Sequence, residues 1–218
     1  MTFKETISDL QTLASHPELE ISYGDLETPH GTNLDHKAVS KQIGIDCSAA
    51  VAETTSIESE FSAYWKGKPT DTAPVVLGEF NLRSVLKFGR ENELNEVYFE
   101  YEYDVWDLRE TRVFDYYAYN GGPIYALLPV NEHRLEDNVL VFDERNLYKT
   151  DLDFSSYLAA LAGSKGFLYW QYLFCENVAC EPYHIEPIEQ GLAFIEATFP
   201  RSDLSDLKNR FLVLKGSQ

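Results

Sequence analysis

The densest group of side chains that could do chemistry lies between residues 91 and 115. Nine carboxylates stand there against two basic residues, Arg109 and Arg112. Two carboxylates can act as general acid and general base, but only where their surroundings push their pKa values apart. These acids mostly alternate with other side chains, so they would be solvated and ordinarily ionised. The segment therefore predicts attraction for a cationic partner rather than acid–base catalysis.

Other catalytic and metal-binding signatures are missing from the chain. The histidines show no paired spacing, and Cys175 and Cys180 do not have the spacing of a zinc knuckle. No glycine-rich loop carries the lysine of a phosphate-binding loop, and no GxSxG elbow is present. We therefore predict that the protein is not an enzyme and holds no metal or cofactor. A hydrolase with an unrecognised carboxylate site is the least favoured alternative.

The whole chain is strongly acidic. Its 218 residues include 36 Asp and Glu against 18 Lys and Arg, which gives a formal net charge of -18. A field of this sign repels phosphate backbones, so we expect no direct nucleic-acid partner. The same field attracts a basic protein and speeds the encounter with it. Acidity that serves only solubility is an alternative of equal weight.

Cysteine content and hydropathy indicate where the protein works. Three cysteines make an odd number, which favours a reducing compartment over a disulfide framework. Residues 1–13 lack the basic and apolar regions of a signal peptide. No apolar run approaches the roughly 20 residues that cross a bilayer. We therefore expect a cytoplasmic protein without a membrane partner.

Alternation with a period of two predicts a strand across residues 96–106, which would carry the acidic segment. Val97, Phe99 and Tyr101 would fall on one face and a row of carboxylates on the other. Like charges in a row are mildly destabilising without a counter-charge, so a cationic partner would explain them. An edge strand that charge protects from aggregation is the equally weighted alternative. The predicted partner-binding residues are Glu96, Glu100, Glu102, Asp104, Trp106 and Asp107.

Periodicity along the chain predicts an α+β fold. Strands near 57–66, 75–82, 96–106, 112–119, 124–130 and 139–142 indicate a mainly antiparallel sheet of about six strands with helices packed on one face. Helices are expected before Pro17, at 35–42, after a cap at Asp151 or Asp153, and from Pro187 and Asp203 onward. Residues 22–35 would form a loop. We expect a single domain over 1–218, with residues 1–40 and 176–218 as terminal helical extensions.

Five short motifs occur in a distinctive order. They are Trp65-Lys66-Gly67, the stretch from Leu77 to Leu82, Val113-Phe114-Asp115, the stretch from Leu152 to Leu158, and the stretch from Gly166 to Gln171. Gly78 in the second motif would allow a close approach of the backbone. In order and spacing the motifs resemble the SUKH superfamily (Smi1/Knr4-like proteins) across residues 40–175.

The resemblance implies a non-enzymatic α+β domain. Bacterial members are immunity proteins that neutralise polymorphic toxins, often nucleases or deaminases, whereas fungal members regulate cell-wall synthesis and signalling. We therefore expect an immunity protein that binds a basic toxin domain through residues 96–107. A regulatory or scaffold protein is the alternative, and a toxin reading frame beside the gene would distinguish the two. The family's binding surfaces vary, so the resemblance assigns no partner-binding residue.

Overall fold

The computed structural model describes residues 2–27, 30–58, 60–68, 74–90, 92, 94, 96–117 and 122–216. Its α-helices are α1 (Phe3–Gln11), α2 (His36–Ile43), α3 (Ala49–Ala52), α4 (Val85–Phe88), α5 (Phe154–Ser164), α6 (Pro182–Thr198) and α7 (Ser205–Gly216). Its strands are β1 (Leu19–Asp25), β2 (Glu60–Gly67), β3 (Leu77–Arg83), β4 (Thr111–Tyr117), β5 (Ile124–Asn131), β6 (Arg134–Leu135), β7 (Asn138–Phe142) and β8 (Leu147–Asp153). Short 3-10 helices include Glu96–Glu100, Leu108–Glu110 and Trp170–Phe174. The predicted α+β class is confirmed.

In the residues that the structure describes, two antiparallel sheets form the framework, where the sequence predicts one sheet of about six strands. The first has the order β1-β2-β3, and the second has the order β4-β5-β7-β8 with β6 paired to β5. The sequence patterns predict neither β1 nor β8. Strand β1 lies in residues 1–40, where the sequence predicts a helical extension, and overlaps the loop predicted at 22–35. Strands β1 and β8 both lie at the end of a sheet and bury few side chains. An edge strand with little apolar surface shows little alternation, which is why the pattern misses it.

Helices and an irregular segment cover opposite faces of the second sheet. Phe114 in β4 contacts Phe154 and Tyr157 of α5, with ring centroids 5.1 and 4.9 Å away. Leu127 and Leu140 belong to a second, smaller core that Leu94 and residues 96–108 close from the other side. Helix α5 therefore packs on one face of this sheet, as predicted, but the opposite face is also buried.

Two of the predicted helices illustrate how local signals act. Asp153 caps α5, because its carboxylate accepts the Ser156 N–H at 2.7 Å, and Tyr157 is fully buried. This predicted cap and helix are confirmed. Helix α6 begins at Pro182, earlier than the predicted Pro187, which lies inside the helix. Proline is favoured in the first turn, and of the two prolines the earlier one occupies it.

Strands β2 and β3 bring Trp65 directly opposite Gly78. The buried indole N–H of Trp65 donates to the Lys165 carbonyl at 2.7 Å. A Cβ atom on Gly78 would lie 2.2 Å from the indole ring. The close approach predicted at Gly78 is confirmed, because the Trp65 ring occupies the space that a side chain would need.

Hydrogen bonds also close the edge of β3 that faces away from β2. The Glu79 N–H donates to the Gly166 carbonyl at 2.8 Å. Farther along the strand, the Asn81 N–H donates to the carboxylate of Asp115 in β4 at 2.7 Å. A side chain thereby joins the two sheets.

Candidate binding surface

Residues 96–106 do not form the strand that the sequence predicts. Glu96–Glu100 is a 3-10 helix, and bends and irregular chain lead from it to Asp107. Glu100, Glu102 and Asp104 therefore do not lie in a row on one face of a strand. The segment crosses the face of the second sheet, and its aromatic side chains pack onto that face. A strand would instead pair with a neighbouring strand through a ladder of backbone hydrogen bonds.

Aromatic side chains attach this segment to the second sheet. The rings of Tyr98 and Tyr103 contact the ring of Phe142 edge-on, at centroid distances of 5.2 and 5.6 Å. Val97 and Tyr101, by contrast, are exposed. The two-faced alternation predicted for these residues is therefore wrong: Tyr98 and Tyr103 pack on the same ring, and Tyr101 faces solvent.

The sequence contains a signal for this arrangement outside the segment itself. Residues 139–142 read Val-Leu-Val-Phe, and all are buried. A short strand with continuous apolar residues is buried on both faces, unlike a half-exposed strand, which alternates. Such a strand requires a cover for its second face, and Leu94 and residues 96–108 supply it.

A groove of about 1000 Å³, which we call the acidic groove, opens beside this segment. Its charged lining consists of four carboxylates and two basic side chains, namely Glu102, Asp104, Glu144 and Glu176 against Arg145 and Lys149. Tyr98, Tyr101 and Tyr103 also line it. An excess of carboxylates next to aromatic rings favours a cationic guest, since both attract positive charge.

The predicted row of carboxylates is divided between two locations. Glu102 and Asp104 line the acidic groove. Glu96 and Glu100 are exposed on the 3-10 helix Glu96–Glu100, outside that lining. Only the first pair therefore belongs to the candidate site on geometric grounds.

Trp106 and Asp107 lie in a second groove, of about 600 Å³, which Glu110 also lines. The Trp106 indole N–H donates to the Glu110 carbonyl at 3.0 Å. Asp107 accepts the Arg109 N–H at 2.9 Å and pairs with the Arg109 guanidinium at 3.3 Å. These local contacts explain the positions of the Trp106 and Asp107 side chains. The two predicted partner-binding residues lie in this second groove and not in the acidic groove.

The turn between β7 and β8 supplies site residues that the sequence patterns do not predict. Asp143 organises this turn, because its carboxylate accepts the N–H groups of Arg145 and Asn146 at 3.0 and 2.7 Å. The Tyr98 hydroxyl donates to the Glu144 carboxylate and so connects the turn to the acidic segment. A run of Asp, Glu, Arg and Asn after an apolar strand is a turn signal. Its position beside the acidic segment depends on tertiary packing.

Asp115 is a buried carboxylate. A buried carboxylate with a raised pKa is a candidate for a general acid. Burial raises the pKa of Asp115 to about 6, although hydrogen bonds from Tyr157 and Asn81 oppose the shift. It lies in the interior and outside the lining of the acidic groove. Its contacts assign it to the joint between the sheets, so its raised pKa does not support the carboxylate-hydrolase alternative.

The part of the chain that the structure describes holds neither a cluster of metal ligands nor a helix that could span a membrane. Within those ranges, no three side chains of His, Cys, Asp or Glu converge as ligands of a metal ion would. Among the described helices, none is both long enough and apolar enough to cross a bilayer. Comparison of the chain with protein-family models, curated proteins and solved structures finds no match.

Proposed function

We propose that this protein is an immunity-type binding protein that neutralises a basic toxin domain by engaging it through the acidic groove. The observation that carries the proposal is the lining of that groove, where four carboxylates and exposed Tyr101 surround about 1000 Å³ of space. A cleft of this size can receive several side chains of a protruding protein segment.

Charge complementarity supports a toxin that acts on nucleic acid. Such a toxin binds phosphates through basic side chains, and an acidic protein of net charge -18 can compete for the same surface. The sequence motifs that resemble the SUKH superfamily favour the same function. Long-range attraction would also speed association, which matters when a toxin must be captured before it acts.

Co-expression with the product of a toxin reading frame beside the gene tests the proposal. The wild-type protein should restore growth, and Glu102→Lys with Asp104→Lys should abolish the rescue. Glu96→Lys with Glu100→Lys is the matched control, because it changes the net charge equally but outside the groove. Both variants replace exposed side chains, and their melting temperatures would verify folding.

Two results would contradict the proposal. Equal rescue by both charge variants would exclude the groove as the contact surface. A genome without a neighbouring toxin, together with capture of endogenous regulatory proteins from the native host, would favour the regulatory or scaffold alternative.

A further inference from the structure

A second concave site lies on the other side of the turn between β7 and β8. It is a cavity of about 300 Å³, which we call the tyrosine pocket. The residues that define it are Asp143, Tyr148, Tyr169, Tyr172, Tyr183 and His184. Glu144, Arg145, Asn146 and Tyr148 line both this pocket and the acidic groove, so the two sites adjoin.

Asp143 orders the tyrosine pocket from its base. One carboxylate oxygen accepts the two backbone N–H groups of its own turn, and the other accepts the hydroxyls of Tyr172 and Tyr148 at 3.1 and 3.3 Å. Burial and the charge of Asp143 raise the pKa of both phenols, so they stay protonated and donate. A phenol that donates to a carboxylate carries a more electron-rich ring, and such a ring attracts cations more strongly.

His184 closes the pocket at the first turn of α6. Its Nδ1 accepts the Glu181 N–H at 3.1 Å, which fixes the ring and leaves Nε2 as the protonated nitrogen of the neutral imidazole. The rings of Tyr169 and Tyr172 stand edge-on to it, at centroid distances of 4.9 and 5.0 Å. Burial lowers the pKa of His184, although Asp143 and Glu181 oppose the shift. A neutral imidazole adds no positive charge that would repel a cation.

The formal charge of the lining also selects the guest. Among the described residues that line the pocket, Asp143, Glu144 and Glu181 provide three carboxylates against the guanidinium of Arg145. Anions are therefore repelled, and a cation meets both negative charge and aromatic rings. The volume of about 300 Å³ is at the small end of ligand clefts, which suits the end of one side chain.

Tyr183 is the rim residue that a ligand would meet first. Its ring lies 4.0 Å from the ring of His184, measured between centroids, yet its side chain is 57% exposed. Packing of the core does not require an exposed tyrosine at this position. A large aromatic residue beside an acidic pocket is typical of sites that bind cationic side chains.

We propose that the tyrosine pocket binds the charged end of a lysine or arginine side chain of a protein partner. This inference rests on the proposed function and deepens it. The acidic groove engages the basic surface of the partner, and the pocket beside it takes one cationic side chain as an anchor. Such an anchor would give specificity that a diffuse acidic surface does not provide.

An NMR titration of the whole protein tests the pocket without any knowledge of the partner. The probes are the Nα-acetyl methylamides of arginine and lysine, with the neutral citrulline and norleucine derivatives as matched controls. The cationic probes should shift the ring signals of His184 and Tyr172 with millimolar affinity, and the neutral probes should bind about tenfold more weakly. Equal binding of cationic and neutral probes, or no shift at these rings, would overturn the proposal.

Two exposed tyrosines provide a matched pair of variants. Tyr183→Ala should weaken binding of the cationic probes about tenfold. Tyr23→Ala, at a residue of β1 that is 60% exposed and lines neither the acidic groove nor the tyrosine pocket, should leave it unchanged. Equal effects of the two variants would show that binding does not depend on the pocket and would overturn the proposal. Tighter binding of free arginine than of its blocked amide would identify a metabolite as the ligand and overturn the partner assignment.

The two proposals can fail separately. Probe binding in the pocket together with failure of toxin rescue would overturn the immunity function and leave the pocket in place. Toxin rescue that Tyr183→Ala does not weaken, with no probe binding, would overturn the pocket and leave the immunity function in place.

Discussion

The carboxylate of Asp115 in β4 accepts a hydrogen bond from the backbone N–H of Asn81 in β3, at 2.7 Å. Its other oxygen accepts the hydroxyl of Tyr157 in α5, also at 2.7 Å. A side chain that is only 1% exposed therefore connects both sheets and a helix that packs against them. A buried charge costs free energy that these hydrogen bonds only partly offset, so the joint makes stability depend on pH.

Asp115→Asn is expected to remove part of that pH dependence. Burial raises the pKa of Asp115 from 3.8 to about 6, so the folded state binds its proton more tightly than the unfolded state. The contribution of Asp115 to stability is therefore fully present below about pH 4 and is lost as the pH rises through about 6. The loss in the wild-type protein is on the order of 2–3 kcal/mol.

Urea unfolding, followed by tryptophan fluorescence from about pH 4 to about pH 7, measures this contribution. Subtracting the Asp115→Asn curve from the wild-type curve cancels the carboxylates that titrate equally in both proteins. The difference should change across the interval. A constant difference would show that Asp115 does not titrate abnormally.

Tyr157→Phe is expected to destabilise the protein more at neutral pH than in acid. The variant removes a donor to the ionised carboxylate of Asp115, which costs about 1–3 kcal/mol near pH 7. Near pH 4 the carboxyl is protonated and depends less on that donor. Chemical unfolding at both pH values provides the measurement, with exposed Tyr101→Phe as a control. An equal loss at both pH values would assign the effect to packing alone.

Gly78→Ala is expected to destabilise the protein by roughly 1–3 kcal/mol, because its Cβ would collide with the Trp65 indole. Gly163→Ala in α5 is the control: the nearest contact of its Cβ lies at 3.9 Å, so stability should stay level or rise slightly. Adding Trp65→Phe to Gly78→Ala should give a smaller total loss than the sum of the two single changes. Additive losses in this thermal-unfolding cycle would argue against the collision.

Asp9→Asn is expected to cost more stability than Lys165→Met. The two side chains form an ion pair in which Lys165 is 2% exposed and Asp9 is 41% exposed. Removing the Asp9 charge leaves a buried ammonium without its partner, which costs about 1–3 kcal/mol. Removing the Lys165 ammonium leaves a carboxylate that water can reach, so we expect a loss below about 1 kcal/mol. Denaturant midpoints of the two variants rank the costs, and the reverse order would contradict this explanation.

Association kinetics with a basic toxin partner should separate local from global charge. Glu102→Lys with Asp104→Lys should slow association roughly tenfold at low salt and flatten its dependence on ionic strength. Glu96→Lys with Glu100→Lys should have a smaller effect, because these residues lie outside the lining of the acidic groove. Stopped-flow or surface-based rates measured over a series of salt concentrations provide the comparison. Identical rates for the two variants would show that only net charge matters.

The sequence alone determined the α+β class and much of its local structure. Helix caps, glycine positions and apolar periodicity depend on residues that are close together in the sequence. They therefore predict helices such as α5 directly. Asp153 caps that helix as its position predicts, and Gly78 lies where the chain needs space for Trp65. The acidic character of residues 91–115 also follows from the sequence alone, because residue types determine formal charge without any tertiary structure.

Tertiary structure alone decided the conformation of residues 96–106 and the membership of the site. Alternation in this segment is compatible with a strand, but a strand needs a hydrogen-bonding neighbour, and packing on Phe142 takes precedence. In the folded chain, Glu102 and Glu144 line the acidic groove together, whereas Trp106 lies in a different groove. His184 reaches Tyr169 and Tyr172 only because tertiary packing places the first turn of α6 beside the 3-10 helix Trp170–Phe174. Contacts between residues far apart in the chain decide these positions, and no local pattern encodes such contacts.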